Sequence, residues 1–136
     1  MAKQTTRATT RAIDPRQLTY LHPLPGGRYE AKPTYGPRDP ATGKSAVTGY
    51  ETRDGHTVFQ LDALGVVPFF GYIPLTVETL TAPETLALPA EPSPETRLVA
   101  TGAAEMRTRG ADFSRVEVTV FAETLTMAAP NTKRAE

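Results

Sequence analysis

The stretch from Arg97 to Met127 reads RLVATGAAEMRTRGADFSRVEVTVFAETLTM, and it decides the fold. Small or apolar residues alternate with polar residues from Arg97 to Arg109, and a second alternation runs from Arg115 to Met127. Alternation with a period of two is typical of β-strands that bury one face. The turn formers Gly110-Ala111-Asp112 separate the two segments. The stretch therefore predicts a long antiparallel hairpin.

The two faces of this hairpin differ in character. One face of the first strand carries three arginines, which are Arg97, Arg107 and Arg109. The opposite face is small and apolar, and valines continue it on the second strand, so we expect this face in the core. The apolar set consists of Leu98, Ala100, Gly102, Ala104, Met106, Val116, Val118, Val120 and Ala122.

The segments before the hairpin also favour strands. Residues 28–35, 57–64 and 72–80 are rich in side chains that suit a pleated surface. The pair Asp54-Gly55 is a strong signal for a tight hairpin turn. Pro74 lies inside the third segment and predicts a sheet edge or a bulge there.

The order of these elements points to one fold class. A turn-forming loop is expected at residues 36–44, and a short helix at residues 82–88, where Pro83 suits the first helical position. Three strands, a helical link and a closing hairpin match the order of an OB-fold, a small Greek-key barrel. A β-sandwich or another small barrel would give much the same pattern. We therefore predict an all-β protein, a small Greek-key (OB-like) barrel with a short helix and flexible N- and C-terminal tails.

Three regions are predicted along the chain. Residues 1–27 are assigned to a basic arm rich in proline and threonine, because they lack apolar periodicity and contain several prolines. Residues 28–128 are assigned to the OB-like domain. Residues 129–136 are assigned to a polar tail.

The net charge of zero hides an uneven distribution. Residues 1–38 carry seven basic and two acidic side chains, which gives +5, and the rest of the chain carries eight basic and 13 acidic side chains, which gives −5. Basic N-terminal segments often contact phosphates or acidic partners. The overall charge therefore does not exclude a polyanionic partner, although a solvated basic tail has the same composition.

Little in the sequence favours catalysis. The chain has no cysteine, which excludes thiolate zinc sites, iron–sulfur clusters and a cysteine nucleophile. Its two histidines, His22 and His56, leave little for a histidine-rich metal site. No nucleophile elbow, phosphate-cradling loop or zinc-protease motif is present. We therefore expect no enzymatic activity, no cofactor and no bound metal.

No membrane partner is expected either. The longest apolar run, Leu64–Leu75, is interrupted by two glycines and two prolines. The first residues are polar and basic and lack the apolar stretch of a secretory signal. We expect a cytoplasmic protein, and the sequence leaves open whether it forms a homo-oligomer.

Arginine and tyrosine suggest a nucleic-acid partner. Proteins that bind single strands without sequence preference combine a basic groove with aromatic platforms. The chain has 11 arginines and four lysines, and the planar guanidinium both pairs with phosphate and stacks on bases. The same arginines could instead serve only to keep the hairpin soluble, if they form ion pairs with carboxylates on the neighbouring strand. Phe69 and Phe70 are expected in the core. The predicted contacts are Arg28, Tyr29, Lys32, Tyr35, Arg38, Lys44, Tyr50, Arg53, Arg97, Arg107, Arg109 and Arg115.

Two sets of residues resemble known families. Residues 39–44 (DPATGK) and 53–59 (RDGHTVF) are similar to replication-activator-like proteins of conjugative plasmids and integrative elements. The closing hairpin resembles the last two barrel strands of bacterial single-stranded-DNA-binding proteins. The resemblance covers roughly residues 29–127 and implies an OB-like fold that binds single-stranded DNA in plasmid or phage replication or maintenance. The hairpin residues that carry it are Val99, Gly102, Met106, Arg107, Arg109, Val116, Val118, Val120, Ala122 and Glu123.

A different class of function also fits the sequence. A small β-barrel with a long, basic, proline-rich arm is a common design for virion proteins that decorate capsids or join tails. In that case the partner is a phage capsid or tail protein, and the location is the virion.

Overall fold

Strands dominate the computed structural model, which describes residues 7–93, 95–112 and 115–128. Threonine, valine and aromatic residues suit such strands because their side chains pack well on a pleated surface. One short α-helix, α1 (Pro83–Leu86), and a 3₁₀ turn at Pro15–Gln17 interrupt them. The strands are β1 (Arg7–Ile13), β2 (Thr19–Pro23), β3 (Tyr29–Ala31), β4 (Pro33–Arg38), β5 (Ser45–Tyr50), β6 (Thr52–Arg53), β7 (His56–Thr57), β8 (Phe59–Val67), β9 (Gly71–Thr79), β10 (Leu98–Asp112) and β11 (Arg115–Met127).

Five strands of the main sheet form a closed ring. Their order is β2, β8, β9, β11 and β10, and β2 meets β10 again where Leu21 pairs with Leu98. Neighbouring strands in the ring are antiparallel except β9 and β11, which pair in parallel through Thr76–Thr79 and Thr119–Ala122. The α1 helix connects β9 to β10. It spans Pro83–Leu86, and Ala87 ends it in a left-handed conformation, so the predicted short helix is confirmed as a single turn.

The closing hairpin is confirmed. β10 and β11 pair in antiparallel register from Leu98 opposite Met127 to Asp112 opposite Arg115. The prediction of a turn at residues 110–112 is wrong, because those residues still belong to β10. A bulge shifts the register between Thr101 and Ala104.

Side chains on the inner face of the ring form the core. Leu21, Leu61, Val77, Val120 and Leu125 are each at most 2% exposed. The predicted inner face of β10 is confirmed, since Leu98, Ala100 and Met106 pack into the same cluster and Ala104 is buried. Two members of the predicted apolar set are exposed, because Gly102 lies on the bulge and Val116 lies near the open end of the ring.

Residues 7–23 do not form an arm. β1 pairs along β10 from Arg7 opposite Gly110 to Ile13 opposite Ala104, and β2 closes the ring. Leu18 and Leu21 are buried in the core. The sequence pattern missed β1 because an edge strand of threonine and arginine buries little apolar surface and so shows no hydrophobic period. Residues 1–6 and the predicted tail at 129–136 lie outside the described residues.

A smaller hairpin projects from the connection between β2 and β8. The segment predicted as one strand from residue 28 divides into β3, which pairs with β8, and β4, which pairs with β5. The predicted loop at residues 36–44 therefore begins within β4. Among the described elements, β4 and β5 make extensive contacts only with each other. We call residues 33–50 the projecting hairpin.

The turn signal at Asp54-Gly55 is confirmed. Both residues have positive φ, 53° for Asp54 and 81° for Gly55, and they join β6 to β7. This is the backbone that a two-residue hairpin turn needs. No helix in the described part of the chain is long and apolar enough to cross a membrane.

Candidate functional site

Two of the predicted nucleic-acid contacts belong to an internal ion-pair network. Oε2 of Glu78 lies 2.6 Å from Nζ of Lys32 and 3.0 Å from a guanidinium nitrogen of Arg107. Glu78 is only 4% exposed, and Lys32 also pairs with Glu51 at 3.1 Å. A buried carboxylate needs such partners, because its desolvation is costly. Lys32 and Arg107 therefore neutralise Glu78 on the outer face of the sheet.

Two further predicted contacts are also engaged. Arg53 donates to Glu105 at 3.0 Å, and its guanidinium carbon lies 3.8 Å from the centre of the Phe121 ring. Arg28 pairs with Asp62 at 3.0 Å, and the hydrogen bonds from this guanidinium lower the pKa of Asp62. Arg53 attaches the segment that follows the projecting hairpin to β10 and β11, and Arg28 attaches the start of β3 to β8.

Tyr29 is a structural residue. Its hydroxyl donates a hydrogen bond to the carbonyl oxygen of Thr81 at 2.6 Å, and burial raises the pKa of that hydroxyl. The ring packs against the core cluster. This position does not support the prediction that Tyr29 is a stacking platform, because the core covers one side of its ring.

The projecting hairpin carries four exposed members of the predicted set. Tyr35 is 61% exposed and Tyr50 is 60% exposed, and Val47, which lies opposite Tyr35, is 52% exposed. Arg38 and Lys44 are also exposed, and neither has an ion-pair partner among the described residues. Two aromatic rings and two available cations therefore lie on one small element.

The arginines of the closing hairpin do not form one patch. The guanidinium carbon of Arg97 lies 4.9 Å from the centre of the Tyr20 ring. Arg109 is exposed and pairs in register with Glu117. Twelve residues of extended chain separate Arg97 from Arg109, which is roughly 40 Å. Arg115 begins β11, and its side chain lies outside the described residues.

A second exposed aromatic element lies in the turn between β8 and β9. Phe69 is 79% exposed and Phe70 is 40% exposed, so the expectation that both lie in the core is wrong. The guanidinium carbon of Arg11, on β1, lies 4.8 Å from the centre of the Phe69 ring. Sequence reasoning missed this pair because Arg11 was assigned to an arm. The flanking Pro68 and Gly71 were the available signal for an exposed turn.

A cleft runs between β9 and β11. Parallel pairing begins only at Thr76 and Thr119, and towards the start of both strands a cleft of about 750 Å³ separates them. The lining is partly apolar, and Arg28 and Asp62 border it on one side. The apolar lining residues include Phe70, Ile73, Leu75, Val116 and Val118.

The remaining polar groups include a buried histidine. In the described part of the chain, no three histidine or acidic side chains come together as metal ligands do. Nε2 of His22 lies 2.6 Å from the hydroxyl oxygen of Tyr72, and Nδ1 of His22 is buried without a partner.

No protein-family model matches the chain, and neither the curated proteins nor the solved structures include a similar one.

Proposed function

We propose that the protein binds single-stranded DNA without catalysing a reaction, and that its ring is an OB-like Greek-key barrel. The order of the ring strands, with one parallel pair and a helix before the fourth strand, supports this fold. OB-folds bind oligonucleotides through their second and third strands and the adjoining loops. The second and third ring strands here are β8 and β9, and the projecting hairpin belongs to the loop before them.

The observation that carries the proposal is the surface of the projecting hairpin. Tyr35 and Tyr50 expose most of their rings, and Arg38 and Lys44 lie on the same hairpin without carboxylate partners among the described residues. Aromatic rings stack on bases of any sequence, and free cations neutralise phosphates. The hairpin therefore combines the two groups that sequence-independent binding requires.

The internal ion pairs narrow the set of contacts. Lys32 and Arg53 flank the projecting hairpin and hold its base against the ring, and Asp62 on β8 holds Arg28. The role of Lys32 and Arg53 in binding is to position the hairpin, and direct contact falls to Tyr35, Arg38, Lys44 and Tyr50. Arg109 is exposed and remains available for phosphate. A role in the replication or maintenance of a plasmid or phage follows from the resemblance of residues 29–127 and forms part of the proposal.

Fluorescence anisotropy with labelled oligo-dT at low and moderate salt tests the proposal. Tyr35→Ala and Tyr50→Ala should each lose roughly 1–3 kcal/mol of binding free energy, whereas Tyr35→Phe should keep most of it. Tyr20→Ala is a matched control, because Tyr20 has the same 61% exposure but lies on β2. Arg38→Ala and Lys44→Ala should each reduce the slope of log K against log salt by about 0.7.

Two results would contradict the proposal. One is no binding at micromolar protein in low salt, and the other is binding that does not depend on salt. The alternative, a virion structural protein, requires a long N-terminal arm, and β1 and β2 of that segment belong to the sheet. Copurification with capsids, together with no affinity for oligo-dT, would favour the virion protein.

A further inference from the structure

We propose that Phe69 is a second stacking platform for an unpaired base, at the end of the ring formed by the β8–β9 turn, with Arg11 supporting its ring. This inference rests on the proposed binding of single-stranded DNA, and it adds a site outside the residues predicted from sequence. Such a site would receive the strand after it leaves the projecting hairpin.

The exposure of Phe69 is the first argument. Its side chain is 79% exposed, the largest value among the exposed large hydrophobic residues in the described part of the chain. Arg11 lies over the ring at 4.8 Å from its centre. A guanidinium on one face of an aromatic ring leaves the other face free to stack on a base. The arrangement therefore suits a flat, apolar ligand near negative charge.

The backbone of the turn is the second argument. Phe69 has a φ of 73°, a left-handed conformation that is costly for a bulky residue. Glycine would adopt this conformation without strain, and Gly71 in the same turn has a φ of 74°. Strained conformations of this kind concentrate at binding sites. The turn thus holds a phenylalanine outward at a position where folding alone would favour glycine.

Charge at this end of the ring identifies the ligand. Arg11 and Arg109 are exposed near this end of the ring, and Arg11 lies over the Phe69 ring. Arg109 pairs in register with Glu117, so the positive charge next to Phe69 comes from Arg11. This positive charge beside an exposed aromatic ring complements a base with its phosphate.

The two platforms lie at opposite ends of β8. The projecting hairpin leaves the sheet at Lys32, whose amide donates to the carbonyl of Val58, and the Phe69 turn follows Val67. The nine residues of β8 span about 30 Å, and the cleft between β9 and β11 runs from Arg28 to Phe70 along part of this distance. A short oligonucleotide therefore reaches one platform, and a longer one reaches both.

A tryptophan reporter tests the site directly. The chain contains no tryptophan, so Phe69→Trp introduces a single tryptophan at the proposed platform, whose emission can be excited apart from that of the tyrosines. Titration with oligo-dT should quench its emission when the oligonucleotide is long enough to cross the cleft, and much less when it is short. Tyr35→Trp provides the matched reporter on the projecting hairpin, and oligonucleotides of both lengths should quench it.

Removal of the ring supplies the second measurement. Phe69→Gly should weaken binding of the long oligonucleotide roughly 5- to 150-fold and leave binding of the short one unchanged. Its thermal stability should not fall, since glycine tolerates the positive φ, so a loss of affinity cannot be ascribed to unfolding. Phe69→Tyr should retain the affinity of the unaltered protein.

The outcomes separate this inference from the proposed function. If the unaltered protein binds no oligonucleotide, the proposed function fails, and this site fails with it. If it binds, but Phe69→Gly binds the long oligonucleotide equally well or Phe69→Trp shows no quenching, only this site is overturned. A self-association that sedimentation detects and Phe69→Gly abolishes, with DNA affinity unchanged, would overturn it in favour of a contact between copies of the chain.

Discussion

Oε2 of Glu78 lies 2.6 Å from Nζ of Lys32, although 46 positions separate the two residues in the chain. Glu78 comes from β9 and is 4% exposed, while Lys32 lies between β3 and β4. The pair ties the base of the projecting hairpin to the ring. It also removes Lys32 from the set of cations that are free to bind phosphate.

Replacing Glu78 should destabilise the fold strongly. Glu78→Ala leaves Lys32 and Arg107 without their shared carboxylate. We expect a loss of about 3 kcal/mol in the free energy of unfolding. The loss should not be larger, because both cations keep some contact with water. Glu51→Ala is the matched control, since Glu51 is 39% exposed and pairs with the same lysine. Its loss should stay below about 1 kcal/mol. Urea unfolding measures both, and equal losses would contradict the importance of burial.

Gly102 should not tolerate a side chain. Its φ is 83°, and a Cβ there would lie 2.5 Å from Oε1 of Glu123, the oxygen that accepts a hydrogen bond from the amide of Ala103. We expect Gly102→Ala to cost more than about 1 kcal/mol in urea unfolding. Gly55→Ala shares the positive φ, at 81°, but no atom lies within 4 Å of its added Cβ. The difference in stability between the two variants measures the clash with Glu123. A smaller loss for Gly102→Ala than for Gly55→Ala would show that the clash does not occur.

Tyr29→Phe should affect stability in two ways. At neutral pH the variant loses the hydrogen bond to Thr81, which is worth about 1 kcal/mol. Burial raises the pKa of this hydroxyl in the folded state, whereas the pKa of a tyrosine in the unfolded chain is about 10. The hydroxyl therefore contributes stability below about pH 10, and that contribution falls as the pH rises further.

Chemical denaturation between neutral pH and pH 11 measures this effect. The alkaline loss of stability should be smaller in Tyr29→Phe than in the unaltered protein. Tyr35→Phe, which changes an exposed tyrosine, should leave the alkaline loss unchanged. Identical pH profiles for Tyr29→Phe and the unaltered protein would show that the buried hydroxyl is not the cause.

Asp14 should titrate at unusually low pH. Hydrogen bonds from the Arg16 side chain and then from its backbone amide lower the pKa of Asp14 to about 2. The folded value lies below the value of about 3.9 for an unfolded aspartate. The interaction therefore stabilises the fold above about pH 4, and its contribution disappears as the pH falls towards 2.

Carboxylate shifts in NMR titrations report this pKa. Arg16→Ala should raise the pKa of Asp14 towards its ordinary value, and the remaining backbone hydrogen bond should keep it somewhat low. Arg38→Ala, a change on the projecting hairpin, should leave it unchanged. An Asp14 that titrates near 4 in the unaltered protein would contradict the proposed pairing.

Local patterns were enough to predict the closing hairpin and the Asp54-Gly55 turn. Successive side chains of a strand point to opposite faces of the sheet, whichever strand it pairs with. Whether a residue tolerates a positive φ likewise depends on its own side chain. The same local reasoning misassigned residues 7–23. β1 is an edge strand with little apolar surface, and the closure of the ring through Leu21 and Leu98 joins residues far apart in the chain.

The sequence alone was enough to show that the chain is rich in strands and which face of β10 lies in the core. It also showed that basic and aromatic side chains are available to bind a ligand. Which of these side chains are free of internal partners depends on the tertiary structure. Ion pairs such as Lys32 with Glu78 and Arg53 with Glu105 join residues that are 46 and 52 positions apart, so no local pattern reveals them. Burial requires a charge to find its partner, and the folded chain brings these partners together. The projecting hairpin and the Phe69 turn are two of the places where aromatic side chains remain exposed.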